Sequence, residues 1–133
     1  MSLKDRLQRQ LVNMRQMSER LLQDFKTPEQ WTFQVHPACN HALWFAGHMA
    51  TSDNFFISLV APEKGEQLLE FQSKFGMGSQ PTGDPSAYPA PDAVLEIMRQ
   101  RRATLLAALN RMSDDDLAKK TPAGAPDFLP DVA

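Results

Sequence analysis

The chain has 133 residues and a mass of 14.9 kDa, which fits one domain with one hydrophobic core. Its 14 basic and 16 acidic residues give a formal net charge of −2, which argues against the strongly basic surface of a nucleic-acid-binding protein. Hydrophobic residues make up 42% and charged residues 23%, which is typical of folded proteins. With seven Met and one Tyr, the composition favours helices over strands.

Cys39 is the only cysteine, so no intramolecular disulfide can form and a reducing compartment is expected. The first residues are charged and amphipathic and lack the apolar core of a signal peptide, which predicts a cytoplasmic protein. The longest apolar region, residues 42–60, contains several polar residues, so no membrane span is expected.

The first predicted helix runs from about Leu3 to about Phe25. Its apolar residues recur on average every 3.7 residues, which is the helical period with one apolar face: Leu3, Leu7, Leu11, Met14, Met17, Leu21 and Phe25. Ser2 is expected to cap its N-terminus. Thr27, Pro28 and Gln30 then form the start signal of a short helical turn.

The second predicted helix runs from about Ala38 to about Val60. Large apolar residues fall on every side of it, which predicts a buried central helix. Residues 61–90 are rich in Pro and Gly, with at most a short helix around 67–71. A connection of this length is typical of a crossover between two helices of a bundle.

The third predicted helix begins near Pro91 and carries a seam at heptad spacing, in which Arg102 is the one charged residue. A new helical turn is expected at Ser113, and the prolines beyond it prevent regular helix. Three long helices and a long crossover predict a four-helix bundle that lacks one helix.

Four side chains of the second helix share one stripe of its surface, since they are spaced by three or four residues: His41, Trp44, His48 and Ser52. The functional hypothesis is that His48 ligates a divalent metal, and the alternative is a hydrogen-bonded core histidine. His41 lies seven residues from His48, roughly 10 Å along a helix, so the two cannot bind one ion within a straight helix.

Three segments of the sequence resemble the DinB-like (damage-inducible) four-helix-bundle superfamily. The first is Asn40 to His48, reading NHALWFAGH, followed by DNFF at Asp53 to Phe56. The second is FGMGS at Phe75 to Ser79, with Tyr88 and Pro89, and the third is the arginine pair of the third helix. This resemblance covers most of the chain.

The resemblance implies an up-down-down-up bundle, commonly dimeric, with a nickel, zinc or similar ion held by three histidines. His48 matches the ligand on the second helix. The other two ligands would come from a His-x-x-x-His on the last helix, and no histidine follows His48 here. We therefore expect a C-terminally shortened single domain, residues 1–133, with an incomplete metal site that binds metal weakly or not at all.

Other residues could contribute to a substrate pocket or have only structural roles. Arg102 could bind an anion through a bidentate contact, or it could extend out of the end of the bundle or pair with a nearby acid. His41, Trp44 and Ser52 are further candidates for the pocket. Cys39 is more simply a small packed residue, and the three aspartates at 114–116 a solvated helix start.

The resemblance also implies a relation to thiol-dependent transferases or isomerases, in which a divalent ion stabilises a thiolate. The leading hypothesis is a divalent-metal-binding protein of this kind, and no catalytic residue is assigned. Its expected partners are a second copy of the chain and a low-molecular-weight thiol or other small molecule, with neither nucleic acid nor membrane. The alternative hypothesis is a non-catalytic dimerisation or small-ligand-binding helical module.

Overall fold

A computed structural model describes all 133 residues, which form six α-helices and two short 3-10 turns with no β-strand. Three helices are long: Leu3–Leu22 (α1), Ala42–Val60 (α3) and Pro91–Arg111 (α5). Three are short: Pro28–Trp31 (α2), Leu69–Phe75 (α4) and Asp114–Leu117 (α6). The all-α class is confirmed, together with the long crossover between the second and third long helices.

The N-terminal helix α1 begins at a capping box. The Ser2 hydroxyl accepts the Asp5 backbone N–H, and the Asp5 carboxylate accepts the Ser2 N–H, both at 3.1 Å. This arrangement satisfies backbone donors that have no partner inside the helix. The helix ends at Leu22 and not at Phe25, because the chain turns and the Phe25 ring packs against Trp31, with ring centroids 5.3 Å apart.

The central helix α3 begins at Ala42, about four residues later than predicted. Residues 36–39 instead form a turn, closed by the Cys39 N–H and the His36 carbonyl at 2.8 Å. The His41 side chain then caps α3 by accepting the Trp44 backbone N–H at 3.0 Å. Pro37 therefore belongs to the turn that precedes the helix.

Within the single chain, α3 is buried on only part of its surface. Leu43, Ala50 and Ile57 are fully enclosed, whereas Phe45 and Phe56 are 37% and 39% exposed. Helix α3 packs mainly on α5 and also on α4. Its remaining face is open, so an apolar pattern on all sides does not here mean burial on all sides.

The crossover between α3 and α5 is ordered by short elements. It contains 3-10 turns at Pro62–Lys64 and Pro85–Ala87, with α4 between them. Helix α4 lies at Leu69–Phe75 and not at 67–71, because Phe71 and Phe75 are the residues that pack towards the core. Phe75 is fully buried, so this helix attaches the crossover to α3.

Helix α6 connects the C-terminal part of the chain to the start of α1. The Asp114 carboxylate accepts the backbone N–H groups of Leu3 and Lys4 at 2.9 and 3.0 Å. Asp114 is exposed at a helix start, as predicted, and it also caps a second helix. Beyond α6, the last residues fold back and form one antiparallel bridge between Lys120 and Asp131.

The hydrophobic core cluster lies where α3, α4 and α5 meet and also includes residues of α1 and α2. It consists of eight buried residues: Leu22, Trp31, Leu43, Ala46, Ala50, Phe75, Val94 and Met98. None of the six helices has the length and apolar character required to span a bilayer.

Candidate functional site

His48 lies on α3 opposite the end of α4, and its ring is held in one orientation. Its Nδ1 is 2.8 Å from the Phe75 carbonyl oxygen. Because a carbonyl can only accept, Nδ1 carries the proton and the lone pair of the neutral ring is on Nε2. Nε2 has no hydrogen-bond partner within the chain and is accessible to solvent. The ring is therefore oriented with a free basic nitrogen.

Trp44 stacks on His48 one helical turn earlier. The two ring centroids are 4.5 Å apart with an interplanar angle of 11°. The indole N–H donates to the Ser79 hydroxyl at 2.9 Å, and this hydroxyl donates to the Gly76 carbonyl at 2.6 Å. The loop after α4 thereby fixes the indole, and the indole covers one face of the imidazole.

Gly47 allows the contact between α3 and α4. A Cβ at this position would overlap the ring of Phe75, which lies directly on the α3 backbone. The Phe75 ring also stacks on Tyr88, with centroids 5.5 Å apart. Glycine at 47 thus brings the Phe75 carbonyl within reach of His48, so the Gly47 and His48 pair acts as a unit.

His41 has a different environment from His48. Its Nδ1 accepts the Trp44 N–H, and its Nε2 donates to the Thr82 carbonyl at 2.9 Å. Both nitrogens are therefore engaged in one neutral tautomer. Burial lowers the pKa of His41, partly offset by the Thr82 carbonyl, which favours the charged form. His41 connects the crossover to α3 and has no nitrogen free for a ligand.

The residues of the structure do not fit a complete metal centre. No group of three or more His, Cys, Asp or Glu side chains lies close enough to hold an ion. His48 supplies one suitable donor atom, whereas a zinc site requires at least three protein ligands. Cys39 is half-buried in the turn before α3, and no hydrogen bond connects Ser52 to His48.

A buried charge cluster occupies the space between the three long helices. Asp53 of α3 is 3% exposed and Arg15 of α1 is 6% exposed. Arg102 of α5 contacts both Asp53 oxygens, through Nε at 2.8 Å and an NH2 group at 2.9 Å, and Arg15 contacts one of them at 2.9 Å. Arg102, a predicted pocket residue, is thus paired with an acid, which was the alternative to its binding an anionic ligand.

The two arginines also bind backbone carbonyl groups. Arg15 donates to the Met98 carbonyl and Arg102 to the Leu11 carbonyl, both at 2.8 Å. Burial, followed by repulsion from Arg102, lowers the pKa of Arg15, while Asp53 acts in the opposite direction. Two guanidinium groups share one carboxylate, so this cluster, defined as Arg15, Asp53 and Arg102, has a net charge of +1.

The neighbouring residues Asn54 and Arg101 form a second contact between α3 and α5. Arg101 is 3% exposed and donates to the Glu66 carboxylate at 2.7 Å and to the Lys64 carbonyl at 2.9 Å. Asn54 accepts the Glu66 N–H at 3.0 Å and donates to its carbonyl at 2.7 Å. These bonds hold the start of the crossover against both helices.

Sequence reasoning did not single out Asp53 or Arg15 as candidate site residues. A signal existed for both: Asp53 is the only acidic residue within α3, and Arg15 lies on the same face of α1 as Leu11 and Leu22. A lone charge on a buried helical face requires an opposite charge nearby.

One of three comparisons with known proteins gave a match. The sequence model of the DinB superfamily matches residues 10–132, which is nearly the whole chain. Comparison with curated proteins and with solved structures gave no significant match. The matched range includes His48, the charge cluster and the entire crossover.

Proposed function

The chain belongs to the DinB superfamily. We propose that it is related to thiol-dependent transferases and binds a small thiol, with His48 as its functional side chain. The supporting observation is the hydrogen bond from His48 Nδ1 to the Phe75 carbonyl, which leaves Nε2 free and accessible. Metal-binding and general-base histidines are oriented in this way in proteins.

His48 offers a thiol a proton acceptor. The S–H proton of the ligand passes to Nε2, which yields a thiolate beside an imidazolium whose Nδ1–H remains bonded to Phe75. Trp44, stacked on the ring, supplies an apolar wall for the substituent of the thiol. A single cysteine and the thiol ligand both suit a reducing, cytoplasmic environment, which forms part of the proposal.

The superfamily resemblance implies a divalent metal, nickel or zinc, but the donor set of this chain is one imidazole. We therefore propose that the 133 residues bind such an ion weakly or not at all. Isothermal titration of Ni²⁺ and Zn²⁺ into the wild type, His48→Ala and His36→Ala tests this. A tight stoichiometric site that His48→Ala abolishes and His36→Ala retains would refute the incomplete site.

The thiol proposal is tested by ¹⁵N NMR of the histidine ring nitrogens. N-acetylcysteine is expected to shift Nε2 of His48 in a saturable manner, whereas N-acetylserine, which replaces the S–H by an O–H, leaves it unchanged. His36 lies in the exposed turn before α3 and serves as the internal control. Equal shifts with both compounds, or shifts equal to those of His36, contradict the proposal.

A second candidate function is a homodimeric module. Met17 and Leu21 lie on one face of α1 and are 58% and 66% exposed, although such side chains favour burial. Sedimentation velocity is expected to show a dimer that Met17→Lys weakens and the neighbouring Gln16→Lys does not. A monomer at high protein concentration would contradict this candidate.

A further inference from the structure

A groove of about 340 Å³ lies between α1 and α3, on the open face of the central helix. Its walls are apolar and include Leu11, Met14, Phe45 and Met49. Arg15 and Arg102, which belong to the charge cluster, also line it. The volume lies within the range of sites that hold small organic ligands.

The two arginines that line the groove carry one positive charge in excess. Asp53 is the only carboxylate bonded to the two arginines, and Glu19, the other acid that acts on Arg15, is paired with Arg99. Two guanidinium groups carry about ten N–H donors. They form five hydrogen bonds with the protein, to Asp53 and to the carbonyls of Leu11 and Met98.

The cluster retains a donor without a protein partner. Arg15 Nε has no partner within the chain and is not enclosed, in contrast to the buried Nε of Arg101. A buried positive charge in excess attracts an anion more strongly than an exposed one does, because water screens it less. The groove therefore combines apolar walls with two arginines of net positive charge, and Arg15 has an unused donor.

We propose that this groove binds a monocarboxylate with an apolar tail, such as a medium-chain fatty acid or an aryl acid. One carboxylate neutralises the single excess charge and matches the planar donor pattern of a guanidinium. The tail covers the side chains of the walls. A dianion such as phosphate would overcompensate the charge and lose its hydration against apolar walls. This site does not use His48 and is independent of the proposed thiol function.

Isothermal titration of octanoate tests the proposal, with octanol as the neutral counterpart and inorganic phosphate as the hydrophilic anion. Octanoate is expected to bind saturably, with one site per chain. Octanol and phosphate are expected to bind at least about tenfold more weakly, because the loss of one charge-assisted hydrogen bond changes the affinity by about that factor. Equal binding of octanol or phosphate, or no octanoate binding, overturns the proposal.

A matched pair of variants locates the site. Gln10 lines the groove and Gln16 is exposed on the same helix, so Gln10→Glu places a negative charge at the groove and Gln16→Glu places one away from it. We expect Gln10→Glu to weaken octanoate binding about tenfold or more by repulsion, with Gln16→Glu close to the wild type. Equal effects of the two variants place octanoate elsewhere and overturn the proposal.

A second variant removes the excess charge directly. Arg15→Met leaves Asp53 in its two-oxygen contact with Arg102, a neutral pair, and is expected to abolish octanoate binding. Circular dichroism verifies its fold, and the Gln10→Glu and Gln16→Glu pair decides the matter if it unfolds. Sedimentation with and without octanoate gives a further check: a dimer that stays intact and binds no octanoate would mean that a second chain occupies the groove, which overturns the proposal.

Discussion

Removal of the Asp53 carboxylate is expected to destabilise the protein more than the loss of any surface ion pair. In Asp53→Ala, three charge-assisted hydrogen bonds of 2.8–2.9 Å disappear, and two guanidinium groups that repel each other remain buried. Breaking a buried pair by removing one partner costs about 3–5 kcal/mol. Because the side chain of Arg102 is 13% exposed, we expect about 3 kcal/mol, the lower end of that range.

Urea unfolding followed by circular dichroism measures this loss. Glu70→Ala is the control, since its pair with Lys74 is exposed and an i,i+4 pair contributes about 0.3–0.5 kcal/mol. The midpoint of Asp53→Ala should fall with little change in the m-value. In an Arg15→Met background the same substitution should cost less, because one of the two stranded charges is already absent. A loss no greater than that of Glu70→Ala would refute the reasoning.

Two other predictions concern the elements that hold the crossover. Gly47→Ala forces a methyl group against the Phe75 ring, so we expect the free energy of unfolding in urea to fall by about 1–3 kcal/mol. Gly83→Ala is the milder control, because its Cβ would meet its nearest atom at 3.4 Å. Equal losses of stability in the two variants would contradict the role of Gly47. For His41, burial lowers the native pKa below 6.5, so the unfolded state binds more protons as the pH falls below about 6.5. The free energy of unfolding should therefore decrease as the pH falls towards the native pKa, and it should decrease less in His41→Gln. Equal decreases in both proteins between pH 7.5 and 5 would contradict this role of His41.

Local signals predicted much of the helical framework, and long-range contacts account for most of the differences. The capping box of Thr27 and Gln30 occurs as expected, because it depends only on residues three apart. Helix α3 begins at Ala42 and not at Ala38, because the His41 side chain and the turn before it define the start of the helix, and Pro37 does not. The extent of α4 depends on where Phe75 packs, which no local pattern specifies.

The candidate site was predicted only in part. The stripe on the second helix correctly placed Trp44 beside His48, because residues four apart share a helical face. It did not reveal that the Phe75 carbonyl orients His48, since that contact spans 27 residues. Local spacing could not predict the partners of Arg102 either, because Asp53 lies 49 residues away and the Leu11 carbonyl 91 residues away.

The two adjacent pairs on α3 and α5 restrict which insertions and deletions the chain can accept. Asp53 contacts Arg102, and Asn54 and Arg101 contact each other beside Glu66. Two neighbouring residues on each helix therefore fix both the axial position and the rotation of one helix relative to the other. One residue added to α5 before Arg101 turns the rest of the helix by about 100° and shifts it by about 1.5 Å. Both contacts would then be lost together, whereas length changes in the exposed loop before α5 leave them in register. Variation in chain length among relatives should therefore be concentrated outside these two helices.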